Sequence, residues 1–128
     1  MANYTKLDIH FQVSDQSDYN ASCNHVAQVE ITTDTQYQIA SVASLTTTPG
    51  ETIIAADTYS SIQYLMVENL DSTNTVTVAC TVNSVAVGVI VPALGVAVIP
   101  NIDADEVVSM YASADPTLVK YSVCGIAA

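Results

Sequence analysis

The stretch from Ser61 to Ile126 decides the fold, and from Ile62 to Val123 it reads IQYLMVE / NLDSTN / TVTVACTV / NS / VAVGVIV / PALG / VAVI / PNIDAD / EVVSMYAS / ADP / TLVKYSV. Short Val-rich runs alternate with turn residues at nearly regular intervals. Strands of roughly 4–8 residues with a turn signal about every 8–12 residues are the sequence form of an antiparallel sandwich or barrel. Within Thr75 to Val82, Val76, Val78, Cys80 and Val82 fall on one side and Thr75, Thr77, Ala79 and Thr81 on the other, the period of a half-buried strand. Asn83-Ser84 then closes a tight hairpin into Val85 to Val91. Pro92 to Gly95 reverses the chain into Val96 to Ile99, which ends at Pro100, both prolines being placed at strand boundaries. Glu106 to Ser113 and Thr117 to Gly125 are read as a last hairpin joined by Ala114-Asp115-Pro116, with Val119, Tyr121 and Val123 on its apolar face. In Ile62 to Glu68 both parities are apolar, which predicts cover on both faces.

Outward from this stretch the pattern continues. Tyr4 to Val13 alternates cleanly, with Leu7, Ile9, Phe11 and Val13 opposite Lys6, Asp8, His10 and Gln12. Ser14 to Asn24 is a polar connection without periodicity. His25 to Thr33 and Thr35 to Thr47 are predicted to pair as a hairpin around Thr33-Asp34-Thr35. Thr48-Pro49-Gly50-Glu51 supplies another turn before a short strand from Thr52 to Ala56. No window carries the apolar i, i+3, i+4 spacing of a helix. The expectation is an all-β, antiparallel two-sheet β-sandwich, jelly-roll-like, of about eight to ten strands. It occupies residues 1–128 as one domain, with 1–24 forming an N-terminal strand plus polar loop.

The totals narrow the function. Thirteen carboxylates against Lys6 and Lys120, with no arginine, give a net charge of −11 among 128 residues. A nucleic-acid partner needs Lys or Arg to displace counterions from phosphates, and anionic lipid is repelled for the same reason, so neither partner is expected. MANYTKLDIH lacks the apolar core of a secretory signal. The run from Val85 to Ile99 is broken by Gly88, Pro92 and Gly95, too early for a membrane span. Synthesis in a cytoplasm is therefore expected. Only 12% of the residues are charged, about half the usual share. Part of the Val and Ala surface then asks for a protein neighbour.

A search for chemistry returns little. Cys23, Cys80 and Cys124 show no metal-ligand spacing. His10 and His25 are the only histidines, and His10 stands two residues from Asp8 along a strand, about 6.5–7 Å and too far for an orienting bond. A sugar cleft would need aromatic platforms beside an acid pair, and the chain has no Trp and one Phe. No catalytic residue and no cofactor is expected, and the chain is read as not an enzyme. Asp103, Asp105 and Glu106, and the loop Asp71 to Asn74, are oxygen-rich enough to suggest Ca²⁺, but neither has the spacing of an EF-hand loop.

In its second half the chain resembles the small jelly-roll virion proteins of tailed bacteriophages, of the capsid-decoration and head-fibre-base type. The segments that carry the resemblance are LMVENLDSTNTVTVAC, VIVPALGVAVIP and DEVVSMYASADPTLVKYSVCG. The family's charged residue after the Pro/Gly turn is replaced here by Val96-Ala97-Val98, which suggests that this turn is buried at a contact. The resemblance implies a capsid decoration (cement) protein on the outer surface of the major capsid protein, often a trimer, on the virion exterior. Other virion proteins are the next candidates: a head-fibre base, a neck or a tail-attachment protein. A carbohydrate-binding or adhesin module follows. The contact residues expected on this reading are Leu7, Ile9 and Phe11 on the first strand, with Asn69, Leu70, Asp71, Asn101 and Asp103 on turn-rich tips at one end of a sandwich.

Overall fold

The computed structural model describes residues 3–14, 21–33 and 36–127, which contain ten strands and no helix. The strands divide between two units, Met1–Thr35 and Gln36–Ala128.

The first unit is a hairpin of β1 (Asn3–Ser14) and β2 (Ala21–Thr33), paired antiparallel from Asn3↔Thr33 to Ser14↔Ala21. Two features differ from expectation. The polar connection is shorter, because Ala21 to Asn24 already belong to β2; residues 15–20 lie outside the described part. The N-terminal piece extends to residue 35 and not to 24, because β2 pairs with β1 and not with the strand that follows it.

The second unit contains β3 (Gln36–Leu45), β4 (Thr52–Ile54), β5 (Tyr59–Asn69), β6 (Val76–Val82), β7 (Val85–Val91), β8 (Val96–Ile102), β9 (Val108–Ala112) and β10 (Thr117–Ala127). Their pairings nest. β6 pairs with β7, β5 with β8, β4 with β9 and β3 with β10, all antiparallel. This is one long hairpin rolled onto itself. Lateral pairings of β10 with β5 and of β6 with β9 complete two four-stranded layers, β3-β10-β5-β8 and β4-β9-β6-β7. They join only where Val82 meets Ile102. Eight strands in this order form a jelly roll, and the fold is an all-β sandwich.

The roll explains two connections that sequence presents as hairpins. β9 and β10 do not pair: the first belongs with β4 and β6, the second with β3 and β5, so Ser113 to Pro116 crosses between layers. Pro92 to Gly95 crosses in the same way between β7 and β8. Among the described residues Asn83-Ser84 is the one two-residue turn between paired strands, with φ of 49° and 64° at its two residues, the left-handed pair that matches the twist of the flanking strands. Pro100 lies inside β8 opposite Tyr64 and not at its end. Because β8 reaches β6 only at Ile102, the strand has an open side there and the missing N–H costs no ladder bond.

The core is the facing surface of the two layers: Leu45, Ile54, Ile62, Leu65, Val67, Val76, Val78, Val91, Ile99, Val108, Met110, Val119 and Val123. The double apolar parity of β5 has a local cause. Opposite β10, Cys124 faces Tyr64 and Gly125 faces Ile62, so Gln63 is an extra residue. This bulge shifts the phase and lets Ile62 and then Leu65 and Val67 all point inward. Met66 and Tyr64 are left on the outer face, where Met66 is exposed.

Candidate functional site

The predicted contact residues separate. β5 and β8 run antiparallel with Glu68 opposite Val96 and Ile62 opposite Ile102. The Asn69–Asn74 loop and the Asn101–Glu106 segment therefore lie at opposite ends of the roll, about 20 Å apart along the strands. They are not two tips of one surface.

At the first end, Asn69 is no contact residue. It is 1% exposed, and its side chain is committed internally. Its Nδ2 donates to the carbonyls of Asn74 (2.7 Å) and Pro92 (3.1 Å), and at longer range to Val91 (3.4 Å). Its Oδ1 accepts from the Asp71 amide at 3.0 Å. Backbone bonds tie the same loops: the Asn69 amide to the Gly95 carbonyl, Leu94 to Asp71, Leu70 to Leu118, and Ser113 to Thr75. The Asp71 carboxylate accepts from the amides of Thr73 and Asn74, both at 2.7 Å. These bonds hold its pKa below the ordinary carboxylate value, Asn74 contributing most and Thr73 next. Buried polar groups of this kind are stabilising only when every partner is present. Outward, this end shows Leu70 and Leu94, the latter 68% exposed with φ of 56°, beside the exposed polar residues Ser72, Thr73 and Asp115. The turn expected to be buried is thus open in the chain by itself.

At the second end, Asp103 accepts from the amides of Asn83 (3.1 Å) and Ser84 (2.7 Å), one through each carboxylate oxygen. Its own amide donates to Thr81, and Ala104 accepts from Asp57. The carboxylate suspected of holding calcium is instead the acceptor that satisfies the β6–β7 turn. Among the described residues no group of three or more His, Cys, Asp or Glu is close enough to hold a metal ion. A shallow depression of about 640 Å³ lies beside it, lined by Asp57, Tyr59, Ser60, Asn101, Asp103 and Asp105. Burial raises the Tyr59 phenol above its ordinary pKa, with Tyr121 adding to it.

In the N-terminal hairpin, Leu7 is half-buried and Ile9 exposed, and Lys6 forms an exposed ion pair with Asp8 at 3.5 Å. The Phe11, Cys23 and His25 side chains lie outside the described residues. Of the other two cysteines, Cys80 and Cys124 are reduced and buried, and burial raises the Cys80 thiol.

No family model, curated protein or solved structure matches the chain.

Two surfaces remain that sequence reasoning did not single out. On the outer face of β3-β10-β5-β8, cross-strand register sets Val42 opposite Lys120, Lys120 opposite Glu68 and Glu68 opposite Val96, with Met66 opposite Val98 in the neighbouring row. Val42, Met66, Val96 and Leu118 are exposed there, large apolar side chains around one lysine and one glutamate. The other layer has a shallow outer groove of about 670 Å³ between β4, β9, β6 and β7. Thr77, Ala79, Thr81, Ala86, Gly88 and Tyr111 line it without a single charge. The signal for both was present in sequence as apolar residues at the parity opposite to the core. Without knowing which strands adjoin, that parity could not be assembled into a surface.

Proposed function

We propose that this chain is a non-enzymatic structural component of a virion, a capsid decoration protein that binds the outside of the major capsid protein. One observation carries the proposal: the exposed apolar band of Val42, Met66, Val96 and Leu118 across the outer face of one sheet. An apolar band of this kind on a sandwich marks a protein-contact surface. The jelly-roll order of strands and the resemblance in the second half of the sequence agree with it. So does the net charge of −11, which suits the outer side of a shell better than a face turned to packaged DNA. The two grooves described are open and shallow, and the Asp103 carboxylate in one of them is engaged by the amides of Asn83 and Ser84.

The test is the stoichiometry of the chain against the major capsid protein in purified particles that contain it. On the order of hundreds of copies supports decoration, about a dozen moves the chain to a neck, fibre base or tail-attachment position, and absence from particles removes the virion reading. Met66→Lys combined with Leu118→Lys is expected to empty the particles of the protein while leaving its fold intact. Removing residues 1–13 tests the further expectation that β1 contributes to attachment; unchanged occupancy would refute that part.

A further inference from the structure

From Ser72 to Ile102 the chain carries no Asp, Glu, Lys, Arg or His, in a protein of net charge −11. Strand β7 lies in the middle of this stretch and, among the described residues, is an edge hydrogen-bonded to β6 alone. Natural sheets protect an edge with charge, proline, a bulge or a covering loop. The sequence VAVGVIV contains no charge and no proline, β7 pairs without a bulge over seven consecutive positions, and it exposes Val85 and Ile90.

Its centre is a glycine with no internal reason to be one. Gly50 needs a φ of +88°, a Cβ at Gly95 would lie 2.7 Å from Pro92, and one at Gly125 would lie 2.8 Å from the Ser61 carbonyl. Gly88 has a φ outside the left-handed range, and a Cβ there would meet nothing within 4 Å. Glycine within a strand weakens it, and its recurrent use is to admit another backbone at close range.

The strand is also nearly palindromic about Gly88: Val85 mirrors Val91, Val87 mirrors Val89, and Ala86 mirrors Ile90. We infer that the β7 edge is a two-fold contact with a second copy of this chain, β7 pairing antiparallel with β7 and Gly88 at the axis. The hydrogen-bond phase agrees. The two-residue turn with Val82 opposite Val85 gives the backbone groups of Val85, Val87, Val89 and Val91 to β6, so those of Ala86, Gly88 and Ile90 point outward. Two-fold pairing then sets Ala86 against the partner's Ile90 and Gly88 against the partner's Gly88, all in hydrogen-bonded phase, with a small residue facing a large one on the outer face. The absence of charge permits a second copy at this edge. Two molecules at −11 repel wherever carboxylates meet, whereas this edge brings them together with no carboxylate on the pairing strands. The contact is isologous and closes as a dimer, not as the trimer that the resemblance implies. It is independent of the virion role, since it concerns the free protein.

Sedimentation velocity between about 1 and 100 µM, in buffer near physiological ionic strength, tests it with four proteins. The wild type is expected to shift from monomer to dimer. Ile90→Lys, at a site 68% exposed in the single chain, is expected to keep the circular dichroism spectrum and melting temperature and to weaken association at least tenfold. The double variant Ala86→Glu with Ile90→Lys sets opposite charges across the two-fold and is expected to restore it. Gly88→Cys is expected to form a disulfide-linked dimer on mild oxidation, because directly opposed hydrogen-bonded residues have Cα atoms about 5.5 Å apart. A wild type that stays monomeric, a trimer, a dimer indifferent to Ile90→Lys, loss without recovery in the double variant, or a Gly88→Cys that does not cross-link would each overturn the pairing.

Discussion

At the Asn69 end of the roll, loops from three connections are hydrogen-bonded to one another, and one amide side chain reaches carbonyls of two of them. Along β7 the arrangement is reversed: apolar side chains, no charge, and a row of backbone groups with no partner strand on the outer side among the described residues. The first region uses its polar groups inward and is complete within one chain. The second leaves its polar groups, all of them backbone, to be completed from outside. A polar loop is thus not by itself a contact surface, nor is a Val-rich strand by itself core.

The sharpest way to break the contrast is Asn69→Ala. It removes the donor to Asn74 and Pro92 and the acceptor for Asp71 in a buried position, and is expected to cost about 3 kcal/mol. For a unit of this size that is a fall of roughly 10–20 °C in the melting temperature by calorimetry. If the stability is unchanged, the loop end is not held by this amide. Gly125→Ala comes next, at about 2 kcal/mol, because its Cβ must displace the Ser61 carbonyl or the Tyr59 ring. Gly88→Ala is expected to leave monomer stability within about 0.5 kcal/mol, and urea unfolding of the two side by side measures the difference.

Asp103→Ala frees the two turn amides at an accessible site and is expected to cost about 1 kcal/mol, read as a lower urea midpoint with an unchanged slope. The smallest effect concerns acid. The Asp71 pKa is lower folded than its ordinary value of 3.8, so its contribution is present above that value and is lost as pH falls through the folded one. Stability measured between pH 5 and pH 2 should decline less in Asp71→Asn than in the wild type.

Much of the fold was legible because its units are local. Val76, Val78 and Cys80 alternate with Thr77 and Ala79 and form the strand they suggest, and Asn83-Ser84 could only be a tight turn. Pairing was less legible. Ala114-Asp115-Pro116 joins two apolar runs as a hairpin turn would, yet it spans the gap between layers. The difference depends on β4 and β3, more than sixty residues upstream, and leaves no mark in the turn. The same limit applied to the contact surfaces. Asn69 reads as an exposed loop residue because, although Asn74 is five residues on, its other partner Pro92 is brought to it only by the roll. The palindrome about Gly88 is visible in sequence, but that its glycine has room for a Cβ is not.

The nested pairings also set an order of assembly. Closing β6 on β7 orders a loop of two residues, between Val82 and Val85. Each pair added outside it spans more chain, from Ile62 with Ile102 to Gln36 with Gly125. Loop-closure entropy then favours zipping outward from the Asn83-Ser84 turn. The hairpin that forms earliest is the one whose rim stays open in the finished molecule. During synthesis β3, β4 and β5 emerge ahead of this hairpin and wait for β8, β9 and β10 to supply their partners, so the strand inferred to pair with a second copy is formed before the outermost pair can close.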